Sequence, residues 1–583
     1  MRFPRPIASA LFFRRVLLVC LLVCAPVLLH AQAVWQGSLA PDFFGITSDQ
    51  STATNLADVT GATTFYEYGI TGQNTTSWVV DAQLVGTDLF PAENLTNVAY
   101  TYATSDVVTE AGTHATFCAA LLGGDTGSGY YLNTGLAYGT TLGSAAIATG
   151  TYADGSFDTS TQSLSAYTYA ASHGDVLSTS IGDSSDTAGI GTLSGLLDSL
   201  AVANSHTTIV ASAGNSGPTG QVGGPASGYN TISVGALDGE TGYTTVASFS
   251  SVGPLQTAWT DGTNTYYYDN GAATRPGVDL VAPGSDIAIP TTITTGTDGS
   301  IESFSYYSEA GTSFATPLVA AGASLLDSTA KTASVFTSNA AVQSAATQSL
   351  VIKAVLMNSA TKLTGWNNGQ KLVKGVITTT QALDYTMGAG AMNLTKAFTQ
   401  YTTSAYVTTS DSITYTGFNL QVENVGWAYG TALLGGTNSY TFADTLTAGE
   451  QLSVTLSWFR NRTWDSTAES YIDLKQAEID LYIYLLVGEA RELVAQSISA
   501  VSTTQELYFT LLATGNYLIE VVYSGNLFNN GDTSDSQDYG MAWSVDAVPE
   551  PGTWFLLAAG TVLILRFHRR QGIRTFRVSL RLL

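Results

Sequence analysis

Apolar and polar positions follow two rhythms along the chain, and the change between them falls near residue 400. Before it, short continuous apolar runs alternate with stretches of helical spacing. In GTLSGLLDSLAVANS (residues 191–205), Leu193, Leu196, Leu197 and Leu200 recur at the three- and four-residue steps that share one helix face. TTIVASAGN follows at once, a buried-strand run closed by Gly and Asn, and NTISVGAL and GVDLVAPG repeat the pattern. Strands buried on both faces read as continuous apolar runs, and helices between them supply parallel crossovers. The pattern predicts an α/β fold, a doubly wound parallel sheet with helices on both faces. After residue 400, QLSVTLSW alternates Leu452, Val454, Leu456 and Trp458, and NYLIEVVY alternates Tyr517, Ile519, Val521 and Tyr523. Period-two runs without helices predict an antiparallel β-sandwich.

The two ends carry a different signal. Arg2, Arg5, Arg14 and Arg15 precede an apolar run from Val16 to Leu29, with Ala31 and Ala33 as small residues for cleavage. This is the layout of a secretory signal peptide, and the run is shorter than the roughly 20 residues of a membrane span. At the other end, Pro549-Glu550-Pro551 precedes an apolar stretch from Trp554 to Leu565, then Arg566, Arg569 and Arg570. Positive charge after the apolar stretch keeps that end cytoplasmic and the body outside, with a transient or C-terminal membrane association. The expected segments are a signal peptide over 1–31, a first domain over 32–400, a sandwich over 401–546 and a sorting or membrane segment over 547–583.

Composition narrows the partners. Of 21 Lys and Arg, four lie before residue 32 and six after residue 565, so the body holds 11 against 45 acidic residues. A net charge of −34 repels phosphate backbones, and no nucleic-acid partner is expected. Cys20 and Cys24 lie within the signal peptide, which leaves Cys118 alone and no intrachain disulfide to form.

The strongest candidate chemistry is GTSFATPLVAAGASLL, residues 311–326. A Ser opening an apolar helix has an exposed hydroxyl and an unpaired backbone N–H beside it, which suits a nucleophile with its own oxyanion donor. Gly311 permits close substrate approach. Pro317 argues against an ordinary Ser cap, because proline inside a helix is costly.

GTSFATP resembles the nucleophile motif of subtilisin-like serine proteases, and the likeness extends from about residue 60 to 397. It implies Ser313 as nucleophile. IVASAGNSGP resembles the family's oxyanion segment, which makes Asn215 the donor to the tetrahedral intermediate. STSIG resembles the edge that pairs with substrate, so Ser180, Ile181 and Gly182, with Ala213 and Gly214, are the implied substrate-binding residues. HATFCAALLGG resembles the histidine segment in the register that makes His114 the base; His173 and His206 read as solvated. The acid motif is matched by FYEYGI, which places Glu67 in the aspartate position, with Asp81, Asp88 and Asp106 as fallbacks. Cys118, four residues after His114, reads as a small buried apolar residue.

The resemblance implies a secreted, surface-sorted serine endopeptidase with a Glu67–His114–Ser313 triad, acting on protein or peptide substrates. A catalytically inactive surface or adhesion protein on the same fold is the alternative, and an acyl- or peptidyl-transferase on the same residues stays open. The tail resembles the Pro-Glu-Pro signal recognised by an exosortase, which implies that partner and a destination at the cell surface, outer envelope or medium. The inner membrane would hold the chain before sorting. No cofactor or catalytic metal is expected, and structural calcium is common in the family, though no decisive ligand loop is evident. The 35 residues between the cleavage point and Glu67 are too few for a folded inhibitory prodomain, so none is expected.

Overall fold

The computed structural model describes residues 55–86, 95–125, 135–151, 157–158, 163–271, 274–295, 301–408 and 419–547. The segments expected to be a signal peptide and a sorting tail, and Asp88, lie outside the described residues. The first layer is a seven-stranded sheet: β1 Thr76–Asp81, β2 Val98–Tyr102, β3 Thr141–Ala146, β4 Val176–Thr179, β5 Thr208–Ser212, β6 Ile232–Leu237 and β7 Leu280–Pro283. Their order is β7-β6-β5-β4-β1-β3-β2 and every pairing is parallel. The winding reverses between β1 and β4. A crevice opens at such a point beyond the carboxyl ends of the strands, and it is the usual site of ligand binding in open α/β sheets.

Four helices matter most: α1 Thr113–Gly123, α2 Thr192–Ala203, α3 Thr312–Thr332 and α4 Ser349–Asn358. Successive strand residues point to opposite faces. Val79, Val176 and Val210 therefore join the core with α3 residues such as Leu318, Val319 and Leu325. Their neighbours Trp78, Leu177 and Ile209 join Leu193, Leu196 and Leu197 of α2 on the other face. Both faces of the sheet are covered, as the continuous apolar runs require.

Beyond residue 403 the chain forms two further sheets. One has five strands, β8 Ala405–Thr408, β9 Val425–Leu433, β10 Gln451–Trp458, β11 Thr504–Thr510 and β12 Ser536–Asp546, in the order β8-β9-β12-β10-β11. The other is built on the long antiparallel pair Ser470–Val487 and Asn516–Asn529. A hairpin from the first part, Lys371–Val373 with Val376–Thr379, extends that second sheet by pairing with Ala490–Ser497. The inner faces of the two sheets meet in one cluster around Trp458, Ile479, Ile519 and Trp543.

This sandwich is not hung on a linker. Helix α4 lies against β12 so closely that a Cβ on Gly540 would meet the Leu350 carbonyl oxygen at 2.3 Å. Asn358 on α4 donates to Ser453 Oγ and Thr455 Oγ1 of β10 at 3.0 and 3.1 Å. Among the described residues, no single helix is long and apolar enough to cross a membrane.

The segment TTFYEYGI, which carries the match to the acid motif, lies outside the sheet. Thr63–Glu67 is a short helix, and Gly69 turns the chain with φ 72° before Ile70 buries. Phe65 inserts into the core while Glu67 faces solvent, three residues before the chain turns inward.

Candidate active site

Strand β1 ends on Asp81, which is 2% exposed beneath the crevice. Its Oδ1 accepts from the Ala82 N–H at 2.7 Å, and its Oδ2 lies 2.8 Å from His114 Nδ1. A carboxylate only accepts, so Nδ1 carries the hydrogen and Nε2 presents a lone pair. His114 is the second residue of α1 and keeps 40% of its side chain exposed on the crevice side. Burial lowers its pKa, but the charge and hydrogen bond of Asp81 and the charge of Glu309 outweigh this, and the net shift is upward from 6.5.

These contacts correct the acid. Glu67 does not touch His114; it sits exposed on its helical turn, and the carboxylate on the imidazole belongs to Asp81. Asp106 is also exposed. His173 and His206 are exposed as expected, the first stacked 4.0 Å from the Tyr169 ring and the second bonded to Thr347 Oγ1 at 2.8 Å.

Ser313 stands in the first turn of α3, where backbone N–H groups have no helical partner. Pro317 explains how the turn is held. Having no N–H, it leaves the Ser313 carbonyl, four residues back, without its helical donor. Ser180 Oγ donates to that carbonyl at 2.9 Å and Cys118 Sγ at 3.4 Å, tying three elements together at Ser313. Cys118 is buried, as its reading required, and burial followed by the Asp81 charge pushes its thiol well up, so it does not ionise. Asp81, His114 and Cys118 bring three metal-capable atoms within 4.8 Å of one another, but His114 Nδ1 is already taken by Asp81. The Ser313 hydroxyl is directed to the Ser180 carbonyl at 3.5 Å.

Asn215 follows β5. Its Oδ1 accepts from Thr312 N at 2.9 Å and Thr312 Oγ1 at 3.0 Å, which turns the amide nitrogen the other way. A Cβ on Gly311 would lie 3.5 Å from that nitrogen and 3.6 Å from Ser313 N. Two donors thus flank a space that glycine leaves open, the layout of an oxyanion hole. Beside it opens a cavity of about 220 Å³ whose lining includes Ser180, Gly182, Ala213, Gly214, Asn215 and Ser313. Ile181 is not part of that lining; it packs on the apolar cluster around Leu193 and Leu196. The rest of the lining is polar or glycine, with Asp183 its one charged residue and Ala213 its largest apolar side chain. Nothing in the sequence pattern had marked Asp183, Ser184, Gln221 or Ser251 as neighbours of this cavity.

Residues 81–390 match the subtilase family. The chain belongs to the subtilase family. The matched region begins on Asp81 itself and ends beyond the α3 helix, so it spans every side chain of the subtilase site described above. A second match, over residues 547–570, is to the PEP-CTERM protein-sorting motif, which supports export and surface sorting of this subtilase. No curated protein matches the chain.

Proposed function

We propose that the protein is a serine endopeptidase that hydrolyses peptide bonds through an acyl-enzyme on Ser313, with an Asp81–His114–Ser313 triad. The reading is carried by one observation, the buried Asp81 carboxylate bonded to His114 Nδ1, whose ring lies 5.8 Å from that of Phe314 in the first turn of α3. In this scheme the Ser313 hydroxyl rotates from Ser180 towards His114 Nε2 and gives up its proton there as Oγ bonds to the substrate carbonyl carbon. The oxyanion is held by Asn215 Nδ2 and Ser313 N. His114 then returns the proton to the amine as the C–N bond breaks, and water repeats the sequence to free Ser313. Asp81 stabilises the imidazolium throughout. Substrate backbone would pair along Ser180–Gly182 and its side chain would enter the cavity against Ala213 and Gly214. An exosortase-type enzyme would process the tail after export.

A fluorophosphonate probe tests the reading without a known substrate. The full chain should acquire one covalent adduct, mapped to Ser313 by peptide mass spectrometry, and Ser313→Ala should acquire none. An unlabelled wild-type protein would favour the inactive surface-protein reading.

A further inference from the structure

The back of the specificity cavity is a glycine-rich stretch whose near end is held by backbone bonds, Val222 N to the Val252 carbonyl at 3.1 Å and Gly224 N to the Asp183 carbonyl at 2.9 Å. Gln221, Gly223 and Gly224 line the cavity, and the chain continues through QVGGPASGYN to Asn230, with three glycines among those ten residues. Glycine-rich backbone has many conformations to lose. At its far end the holding groups come from helix α2 and from the sandwich. Asp198 on α2, fully buried, accepts from Tyr229 N at 2.8 Å and Asn230 N at 2.9 Å. The same carboxylate is paired at 2.8 Å with Nη1 of Arg462, whose Nε holds Asp473 at 2.5 Å. The Tyr229 ring lies between two guanidinium groups, Arg460 at 3.2 Å and Arg275 at 3.9 Å from its centroid. Arg460 and Asn230 exchange two hydrogen bonds of 2.8 Å, and Thr503 Oγ1 donates to the Tyr229 carbonyl at 2.8 Å. Helix α2 also reaches the cavity directly. Its Ser194 donates to Asp186 at 2.6 Å, and a Cβ on Gly224 would strike both side chains at 2.7 Å.

We propose that the β-sandwich is part of the specificity machinery, with Arg460, Arg462 and Thr503 acting through Asp198 and Tyr229 to position the 221–230 wall of the cavity. The inference rests on the peptidase reading for its kinetic consequence and on the contacts alone for the anchoring. These are positioning residues; none touches the reacting atoms. A charged pair buried between two parts of a fold holds a unique geometry, because a shifted wall would leave a carboxylate or guanidinium without its partner.

The test uses the full-length chain and Asp198→Asn. The amide keeps one acceptor but turns an N–H either towards Asn230 N or towards both Tyr229 N and Arg462. KM for peptide substrates should rise about tenfold with kcat changed less than about threefold, while fluorophosphonate labelling of Ser313 stays within about twofold. Amide hydrogen exchange over 221–230 should quicken. Thr503→Val, a milder change made wholly within the sandwich, should raise KM roughly two- to threefold in the same direction. It keeps the test open if Asp198→Asn does not fold. Arg491→Ala, which removes an ion pair to Glu520 elsewhere on the sandwich, should change none of these readouts. Lower stability with unaltered KM and unaltered exchange over 221–230 would overturn the proposal. If the wild type labels nowhere and cleaves nothing, the peptidase reading fails, and the exchange measurement still decides whether the sandwich anchors the wall.

Discussion

Replacing Asp81 by Asn puts the corrected triad to its most direct test. The carboxylate uses both oxygens, Oδ2 towards His114 Nδ1 at 2.8 Å and Oδ1 towards the Ala82 N–H at 2.7 Å, at a site 2% exposed. An amide cannot serve both. If its oxygen stays on His114, its nitrogen points at a backbone N–H, donor against donor with no water to relieve it. If it flips, the nitrogen faces His114, Nδ1 must accept, and the proton moves to Nε2, where it blocks transfer from Ser313. The loss in kcat should be about 10⁴-fold, or about 5.4 kcal/mol of barrier, as for the equivalent change in chymotrypsin-like enzymes. The pH profile should move as well. Burial lowers and Asp81 raises the His114 pKa, the net shift is upward, and the base works only when neutral. The acid limb of kcat/KM therefore lies above pH 6.5 in the wild type and should fall to lower pH in Asp81→Asn. Steady-state rates on a peptide library across pH, with the labelling rate as a second readout, supply both numbers. Glu67→Gln should leave rate and profile unchanged to within about twofold. A loss of 100-fold or more in Glu67→Gln, with Asp81→Asn near wild type, would refute the assignment.

Asn215→Ala should lower kcat by about 10²–10³-fold with little change in KM. It should also lower the melting temperature, since Thr312 N and Oγ1 lose their shared acceptor. The cavity lining, with no apolar side chain beyond Ala213, predicts that cleavage sites carry small or hydrogen-bonding residues rather than large aromatic ones immediately before the scissile bond; mass spectrometry of a digested proteome would read this out, and a Phe/Tyr preference there would contradict it. Asp327 on α3 is held up to about 7 by burial, with Asp175 adding to the effect and Lys331 opposing it. A carboxyl raised in the folded state favours folding below its unfolded pKa near 3.8, and that contribution is lost as pH rises towards 7. Asp327→Asn should accordingly gain stability at pH 7.5 relative to pH 4.5, by up to about 3 kcal/mol in denaturant melts; a gain equal at both pH values would argue against a buried, raised carboxyl.

The sequence displayed most of this architecture because its signals are local. The Leu193–Leu200 spacing gave a helix within Thr192–Ala203, the runs at Ile209, Ile232 and Leu280 gave three parallel strands, and the alternations at Leu452 and Tyr517 gave sandwich strands. Ser313, Asn215 and His114, which the structure places around one crevice, stood out as candidates because small residues and glycines around each make a recognisable stretch. The acid was not. TTFYEYGI carries aromatic residues that favour strands, yet Phe65 and Tyr66 bury from a single helical turn. TSWVVD ends in the apolar run of a strand covered on both faces and closes on an acidic residue, but Ala82 and Gln83 follow it, without the glycine that follows Glu67 in FYEYGI. A buried run ending in Asp was the available sign. The pairing of Asp198 with Arg462 had no such sign, since 264 positions separate them and charged residues in a sequence are ordinarily read as solvent-facing.

The place of β12 in its sheet bears on how the protein carries load. This strand ends at Asp546, and the sorting motif begins at residue 547. It is flanked on both sides, by nine register pairs with β9 and eight with β10, all antiparallel. A pull on the tail acts along the strand axis, so both ladders are loaded in shear and their hydrogen bonds resist together. An edge strand attached at the same point would peel one bond at a time. Were the tail the point of attachment at a cell surface, this subtilase would be gripped at the centre of a sheet, and drag from flow or from a tethered substrate would be spread across the sandwich before it reached Ser313.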